Sequence, residues 1–154
     1  MKKTEQLTTH NLDILYRVIP YAQEDYKASL LLRDEILRAP LGMNIFDEDL
    51  SDEINQIHFG AFMDTQLIGI LVLMEQGSSY KVRQVATKDN YRGLGIGSRL
   101  VGLAETWAMD HKIYKIVLHA RITAITFYEK LGYVSEGALF SEIGIPHMSM
   151  YKVL

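Results

Sequence analysis

The chain of 154 residues contains no cysteine, three prolines and one tryptophan. Without cysteine it can build neither a disulfide framework nor a thiol nucleophile. Long hydrophobic runs are also missing, since the longest, Leu67 to Met74, has eight residues, whereas a membrane-spanning helix needs about 20. The polar N-terminus is not followed by the apolar core of a signal peptide. These absences predict a cytoplasmic protein that has no membrane partner.

An excess of positive charge is missing as well. The 16 lysines and arginines are outnumbered by 19 aspartates and glutamates, and no basic block occurs, so a nucleic acid is not an expected partner. Apolar residues make up 48% and charged residues 23% of the chain, which is typical of a globular domain. The length suits one domain that buries a core. We therefore expect residues 1–154 to form a single domain.

Acidic residues cluster in a segment that we expect to be irregular, residues 40–55. Carboxylate oxygens are the ligands that calcium and magnesium prefer, but the spacing lacks the glycine and the final glutamate of a calcium-binding loop. We interpret the segment as a solvated helix start or a loop on the substrate side, and we predict no metal site. The residues concerned are Asp47, Glu48, Asp49, Asp52 and Glu53.

The most informative stretch runs from Arg92 to Ser98 and has glycine at positions 93, 95 and 97. A strand pattern precedes it at 82–87, and apolar residues at helical spacing follow it. Glycine lets the backbone approach a ligand closely, and the free N–H groups at a helix N-terminus attract anions. The stretch therefore predicts a phosphate or pyrophosphate site. It lacks the Gly-Lys-Ser/Thr of a P-loop, and it also lacks the last glycine and the acidic residue of a dinucleotide fingerprint.

The remaining elements follow from periodicity and from turn residues. Residues 1–11 are polar, and we interpret them as a short approach segment. We predict helices at 22–37, 97–111 and 123–131, the last of them ended by Gly132. We predict strands at 14–19, 58–63, 67–74, 82–87, 114–119 and, in the tail, around 133–134, 139–140 and 147–153, with a turn at 144–146. The predicted order is β-α-β-β-β-α-β-α-β-β.

Two motifs carry a resemblance to a known family. Arg92-x-x-Gly95-x-Gly97, between a strand and a helix, resembles motif A of the GCN5-related N-acetyltransferase (GNAT) superfamily. The run from Ala124 to Tyr133, with its Phe-Tyr pair, resembles the second signature of that superfamily. The resemblance implies an α/β (α+β) GNAT fold. Its central sheet is mixed, mostly antiparallel and of about six to seven strands, with a splayed parallel pair, and about four helices flank it.

The resemblance also implies acetyl-CoA as cosubstrate and a primary amine of a small molecule or protein as acceptor. In this superfamily the fourth strand binds the pantetheine arm through backbone groups, and Val85 and Thr87 occupy the matching positions. The alternative for the glycine-rich turn is a plain strand-to-helix connection. The segment 120–123 lacks the asparagine that many members use for the cofactor. The pyrophosphate contacts implied by the resemblance are Arg92, Gly93, Gly95, Ile96, Gly97 and Ser98.

Tyr128 is the tyrosine of the Phe-Tyr pair, which in this superfamily commonly gives a proton to the departing thiolate of coenzyme A. A phenol stays protonated at neutral pH; the alternative is a core ring with its hydroxyl at the rim. The amine also needs a base. Many members carry a glutamate for this purpose on strand four, where this chain has Arg83 and Gln84. The base is therefore left open among Glu75, His58, His119, Glu142 and His147.

A narrower resemblance, to the ElaA/YjcF-type branch of the superfamily, rests on residues 32–42, on His58 and on residues 144–147. It implies that Arg33, Arg38, His58 and His147 line the acceptor side, and the alternative for the arginines is a solvated helix face. Pairing through sheet edges is common for this fold, which makes a homodimer a further expectation. Two other functions stay open beside acetyl transfer by direct nucleophilic attack. These are a non-catalytic acyl-CoA binding or sensing module and an unrelated nucleotide-binding protein.

Overall fold

The computed structural model describes residues 13–154, so the approach segment predicted at 1–11 lies outside the described residues. The described chain forms three α-helices, α1 (Glu24–Leu37), α2 (Ile96–Asp110) and α3 (Ile125–Lys130). None of these helices is both long and apolar enough to cross a membrane. The described chain also forms seven strands, which are β1 (Ile14–Val18), β2 (Ile57–Met63), β3 (Gln66–Gln76), β4 (Ser79–Thr87), β5 (Lys115–Arg121), β6 (Val134–Glu142) and β7 (Ile145–Val153).

The order of these elements along the chain is the predicted one. The segment that we expected to be irregular between α1 and β2 contains three short 3₁₀ turns. These turns, and not a fourth α-helix, connect the first helix to the sheet in the described chain. The first of these turns has a proline near its start, just after the end of α1. Proline suits this position, because it cannot continue the hydrogen bonding of the helix.

The seven strands form a sheet in the order β1-β2-β3-β4-β5-β7-β6. β1 and β2 run antiparallel with Ile14 opposite Met63, and β7 runs antiparallel to both β5 and β6. β4 and β5 form a parallel pair, in which residues 80–82 lie opposite residues 116–118. Parallel strands need a long crossover connection, and α2 supplies it. The predicted mixed sheet with a parallel pair is confirmed.

Contacts divide the chain into two compact units. The first unit comprises the described chain up to Val72 together with Gln84–Val101. Its core combines the buried stripe of α1 with inward-facing residues of β2, β3 and the end of β4. The buried members of this core are Ile19, Tyr26, Leu30, Leu32, Ile45, Phe62, Leu67, Ile70, Val72 and Ala86.

The second unit comprises Leu73–Arg83 and Gly102–Leu154. In β5 the side chains alternate, so that Ile116, Leu118 and Ala120 are buried while the residues between them are half-buried. β6 lies at the edge of the sheet order, and most of its residues are exposed. A register shift interrupts β6 between residues 136 and 140. Such a bulge limits the pairing of an edge strand with another chain, and the homodimer stays a prediction.

The turn between β6 and β7 consists of Ile143 and Gly144, one residue earlier than predicted. Both residues have positive φ, +47° and +78°, as the common two-residue hairpin turn requires. Ile145 and Pro146, which we predicted to lie in the turn, belong to β7. A proline is tolerated there because it lies near the start of the strand.

Candidate functional site

The glycine-rich turn lies in the first unit, between β4 and α2. After β4 ends at Thr87, a 3₁₀ turn (Asp89–Tyr91) leads to Arg92, whose backbone is extended. Gly93 and Gly95 follow with φ angles of +81° and +77°. A Cβ atom at either position would meet no other atom within 4 Å. Glycine is therefore required at these two positions by the backbone conformation, and not by a lack of space for a side chain.

α2 begins directly behind this turn at Ile96. The N–H of Arg99 donates to the carbonyl oxygen of Gly95 at 3.0 Å. The amides of the first three helical residues, Ile96 to Ser98, therefore precede the first intrahelical hydrogen bond. The first turn of this helix contains no acidic residue. Two left-handed glycines followed by the positive end of a helix dipole form a site that fits a phosphate or pyrophosphate group.

The start of α2 approaches β3 closely at Gly69. The Ile96 side chain is 2% exposed, and a Cβ atom on Gly69 would lie 2.7 Å from Ile96 Cγ2 and 3.4 Å from Leu100 Cδ1. The absence of a side chain at Gly69 is therefore what lets the helix start lie against the strand. An isolated glycine within a strand pattern signals such an approach, and that signal was missed in the sequence.

The predicted pantetheine-binding residues, Val85 and Thr87, are half-buried and alternate with buried neighbours along β4. The parallel register with β5 ends at Val82, so both residues lie beyond the paired part of the strand. The Arg92 side chain is largely exposed and lies 3.3 Å from Asp89 Oδ1. Such a surface pair contributes little to stability. Arg92 directly precedes Gly93, so its guanidinium lies near the mouth of the turn.

A buried set of polar side chains, here called the Arg33 network, connects α1 to β2 and β4 within the first unit. Arg33 on α1 is fully buried, and its guanidinium donates to both carboxylate oxygens of Glu53, at 2.9 and 2.5 Å. Its Nε atom donates to Gln84 Oε1 on β4 at 2.5 Å. The Tyr26 hydroxyl donates to Glu53 Oε1 at 2.7 Å, and His58 Nε2 lies 3.0 Å from the Glu53 carbonyl oxygen. The network fixes β4 directly beside the predicted pantetheine-binding residues.

This burial decides an alternative that the sequence left open. Arg33 is 0% exposed and Arg38 is 7% exposed, so the solvated helix face is wrong for both arginines. Arg38 instead pairs with Glu48 at 2.5 Å. The structure brings Arg33 and His58 together through Glu53, and contact of either with an acceptor stays a prediction.

The interpretation of the acidic segment as solvated is wrong for Glu53, which is 2% exposed. It holds for the three aspartates of the segment, since Asp47, Asp49 and Asp52 are exposed, whereas Glu48 is half-buried. Sequence reasoning missed Glu53 as a network member because its partners lie 20 and 27 positions away along the chain. No local pattern distinguishes it from its exposed neighbours.

Tyr128 lies on α3 in the second unit and is 8% exposed. Its ring packs edge-on against Phe127 and Tyr133, with centroid distances of 4.9 and 5.8 Å. Burial raises the pKa of the Tyr128 phenol well above its usual value. The hydroxyl therefore stays protonated throughout the neutral range. Its role as general acid stays a prediction.

Three of the five predicted base candidates lie together in the second unit, and we call them the His119 cluster. His119 Nδ1 lies 2.8 Å from Glu142 Oε1, and His147 Nε2 lies 4.0 Å from the second carboxylate oxygen of Glu142. His147 Nδ1 lies 3.0 Å from the carbonyl oxygen of Ile145. Of the other two candidates, His58 belongs to the Arg33 network and Glu75 is exposed near the end of β3.

Comparison with known families gives a match over most of the chain. The sequence pattern of a family described as acetyltransferase (GNAT) domain matches residues 34–154. The matched region includes the glycine-rich turn, Tyr128 and the His119 cluster. The match confirms the superfamily that the two sequence motifs predict.

Three solved structures share the architecture. One, named as an N-acetyltransferase of Lactobacillus plantarum, is 25% identical with a TM-score of 0.82 and covers 92% of this chain and 98% of its own. Escherichia coli ElaA is 17% identical with a TM-score of 0.79 and covers 90% and 99%; at this identity the likeness shows the fold alone, which is consistent with the predicted branch. A Bacillus anthracis strain Ames protein, named as a streptothricin acetyltransferase and solved with acetyl coenzyme A, is 25% identical with a TM-score of 0.60 over 70% of each chain.

Proposed function

The chain belongs to the GNAT family of acetyltransferases, and on this premise we propose that it transfers the acetyl group of acetyl-CoA to a primary amine of a small molecule or a protein. The amine attacks the thioester directly, without a covalent enzyme intermediate. The observation that carries the proposal is the turn before α2, where Gly93 and Gly95 take left-handed conformations ahead of a helix start that contains no acidic residue. Residues 1–154 act as a single N-acetyltransferase domain in this proposal.

Acetyl-CoA supplies the acetyl group as a thioester, and this chain binds it through backbone groups. The amides of the glycine-rich turn and of the first helical residues hold the pyrophosphate, because a helix N-terminus stabilises negative charge. Backbone groups of Val85 and Thr87 hold the pantetheine arm beyond the end of the parallel register. The solved relative that contains acetyl coenzyme A supports this cosubstrate over ATP or a dinucleotide.

Tyr128 supplies the proton that the departing sulfur requires. Acetyl transfer to nitrogen breaks the carbon–sulfur bond and leaves negative charge on sulfur. Because burial raises the pKa of the Tyr128 phenol, the hydroxyl carries its proton at the pH of the reaction. A hydrogen bond from this hydroxyl to the developing thiolate lowers the barrier to departure.

Thiol release from acetyl-CoA in the presence of a broad panel of primary amines tests the proposed reaction. We expect the free thiol of coenzyme A to accumulate with at least one amine. A thiol-reactive dye measures this accumulation. Tight acetyl-CoA binding without thiol release would identify a non-catalytic acyl-CoA binding module, which the missing carboxylate on β4 favours. A larger rise in melting temperature with ATP or NAD than with acetyl-CoA would exclude the acyl-CoA assignment.

The Tyr128→Phe variant tests the acid, because it removes the hydroxyl and retains the ring contacts. We expect kcat to fall by about 10²-fold while the KM for acetyl-CoA stays nearly unchanged. Tyr114→Phe is the matched control, since Tyr114 is 54% exposed just before β5. Equal kcat values for Tyr128→Phe and the unchanged protein would exclude a proton-donating role.

A further inference from the structure

The side chains of the His119 cluster lie on one face of the sheet within the second unit. The register places Ser149 of β7 opposite His119 and His147 two residues earlier, so both imidazoles lie on the same face. On β6, Phe140 lies opposite His147, and its ring contacts the His119 ring edge-on at 4.9 Å. Glu142 follows two residues later on this face and reaches His119 Nδ1 at 2.8 Å. His119 is thus held by an aromatic ring on one side and by a carboxylate at one nitrogen.

The hydrogen bond to Glu142 determines where His119 carries its proton. A carboxylate only accepts hydrogen bonds, so Nδ1 of His119 holds the hydrogen that it donates to Glu142. In the neutral imidazole the other nitrogen, Nε2, is then an acceptor. A carboxylate that fixes the tautomer and the plane of a histidine in this way prepares Nε2 to take a proton.

Exposure separates the two histidines of the cluster. The His119 side chain is 33% exposed, whereas that of His147 is 4% exposed. His147 Nε2 is 4.0 Å from Glu142, which is too long for a hydrogen bond. Beside His119, Phe140 also lines an open depression of about 250 Å³ at the β6–β7 turn. The imidazole of His119 is therefore the more accessible of the two.

We infer that His119 is the general base of the acetyl transfer and that Glu142 is its positioning residue, an inference that depends on the function proposed above. Nε2 of His119 takes a proton from the ammonium group of the acceptor and leaves a neutral amine. As the nitrogen–carbon bond forms and the carbon–sulfur bond breaks, sulfur takes a proton from Tyr128, and the second proton lost by nitrogen returns to the phenol. His119 then gives its proton to water, so the products are the amide, the thiol and one proton.

Other titratable and charged groups lie on the same face of the sheet as His119. The shapes of pH profiles are therefore compared between variants, and the midpoint of a single profile is not used. The groups on the same face of β5, β6 and β7 are Lys115, Arg121, Glu136, Glu142, His147 and Tyr151.

The decisive measurement is kcat/KM for the best amine of the panel between about pH 6 and about pH 9.5. At neutral pH we expect His119→Gln to lower kcat/KM by about 10²-fold and to leave the KM for acetyl-CoA unchanged. The deficit shrinks as the pH approaches the pKa of the acceptor amine, because a growing fraction of the amine is then already neutral in solution and needs no base. Glu142→Gln lowers kcat/KM by a smaller factor, Glu142→Asp restores part of it, and added imidazole restores activity to His119→Ala.

His111→Gln is the matched control, because His111 is an exposed histidine that stacks on Trp107 at the end of α2 with ring centroids 4.5 Å apart. A His119→Gln variant that equals the unchanged protein at every pH, or a deficit that is constant across the range, overturns the base assignment and leaves the acetyl transfer intact. Absence of thiol release from the unchanged protein overturns the proposed function and the base assignment together. If His119→Gln does not fold, His119→Asn and the imidazole rescue of His119→Ala give the same decision.

Discussion

Each of the two units contains a carboxylate paired with a nitrogen-containing side chain, and the two pairs lie in opposite environments. In the first unit the side chains of Arg33 and Glu53 are 0% and 2% exposed, and the guanidinium makes three hydrogen bonds to Glu53 and Gln84. In the second unit the side chains of His119 and Glu142 are 33% and 44% exposed. Full burial with three hydrogen bonds makes a charged side chain an anchor between backbone elements, whereas partial exposure leaves a side chain within reach of solvent.

The energetic consequences of breaking the two pairs differ accordingly. Removal of one partner of a buried pair leaves an uncompensated charge away from water and costs about 3–5 kcal/mol. An exposed pair contributes about 0–1 kcal/mol, because water solvates whichever charge remains. Breaking the buried pair should therefore have the larger effect on stability. Breaking the exposed pair should have little effect on stability and should show itself in the activity.

The largest effect is expected from Glu53→Gln, which retains the shape of the side chain and removes its charge. The buried guanidinium of Arg33 then loses its counter-charge, and we expect the free energy of unfolding to fall by about 3–5 kcal/mol. Glu142→Gln is the matched change in the exposed pair and should lower it by no more than about 1 kcal/mol. Urea denaturation of both variants measures the difference.

A double-mutant cycle makes the same comparison more specific. Arg33→Met together with Glu53→Gln removes the stranded charge, so the double variant should recover part of the stability that Glu53→Gln loses. If Glu53→Gln destabilises the protein no more than Glu142→Gln does, the buried pair is not an anchor and the contrast between the units fails.

The contrast between a filled and an open environment extends to two glycines. A Cβ atom on Gly69 of the first unit would lie 2.7 Å from Ile96 Cγ2, whereas one on Gly102 of the second unit would meet nothing within 4 Å. We expect Gly69→Ala to lower the free energy of unfolding by about 1–3 kcal/mol through overpacking. It should also weaken acetyl-CoA binding, because Ile96 is the first residue of α2 and its displacement moves the leading amides.

Gly102→Ala is the control for this variant, since both changes add one methyl group. The methyl group at Gly69 would point from β3 toward α2, whereas the methyl group at Gly102 lies on α2 itself. Alanine inside a helix is favoured over glycine by about 0.8–1.0 kcal/mol, so Gly102→Ala should be neutral or stabilising and should leave acetyl-CoA affinity unchanged. Calorimetric titration with acetyl-CoA measures affinity for both variants. Equal affinities for the two variants would mean that the Gly69 contact does not position the turn.

The features that the sequence predicts well are those set by local chemistry. The glycine-rich turn is local, because the positive φ angles of Gly93 and Gly95 depend on residue type. The order of strands and helices follows from periodicity within short windows. Each of the two family motifs lies within a short window of the sequence, and their order and spacing are enough to predict the superfamily.

The features that the sequence does not predict depend on contacts between distant residues. Arg33 and Gln84 are 51 positions apart, and His119 and Glu142 are 23 positions apart. Residue types alone proposed histidines and carboxylates as bases, but only the register of β5, β6 and β7 pairs His119 with Glu142. The same limit explains Glu53, whose burial follows from α1 packing over it and from no property of its own segment.

Tyr26 adds a titrating group to the buried pair. Its hydroxyl donates to Glu53 Oε1 at 2.7 Å. Burial, followed by this hydrogen bond and the charge of Glu53, raises the pKa of the Tyr26 phenol far above its usual value. A group whose pKa is raised in the folded state contributes stability that is fully present below its unfolded pKa, near pH 10 for tyrosine, and that is lost as the pH rises toward the folded value.

The smallest effect is therefore expected in alkaline solution. Above about pH 10, the raised pKa of Tyr26 should make the free energy of unfolding fall by at most about 1.4 kcal/mol per pH unit. Tyr26→Phe should be less stable at neutral pH, because a hydrogen bond to a charged partner is lost, and its stability should fall less steeply above pH 10. Tyr114→Phe should run parallel to the unchanged protein, since that ring is exposed. Urea denaturation at a series of pH values measures the slopes. Parallel slopes for Tyr26→Phe and the unchanged protein would show that the phenol is not coupled to folding, and the buried pair would then consist of Arg33 and Glu53 without a titrating partner.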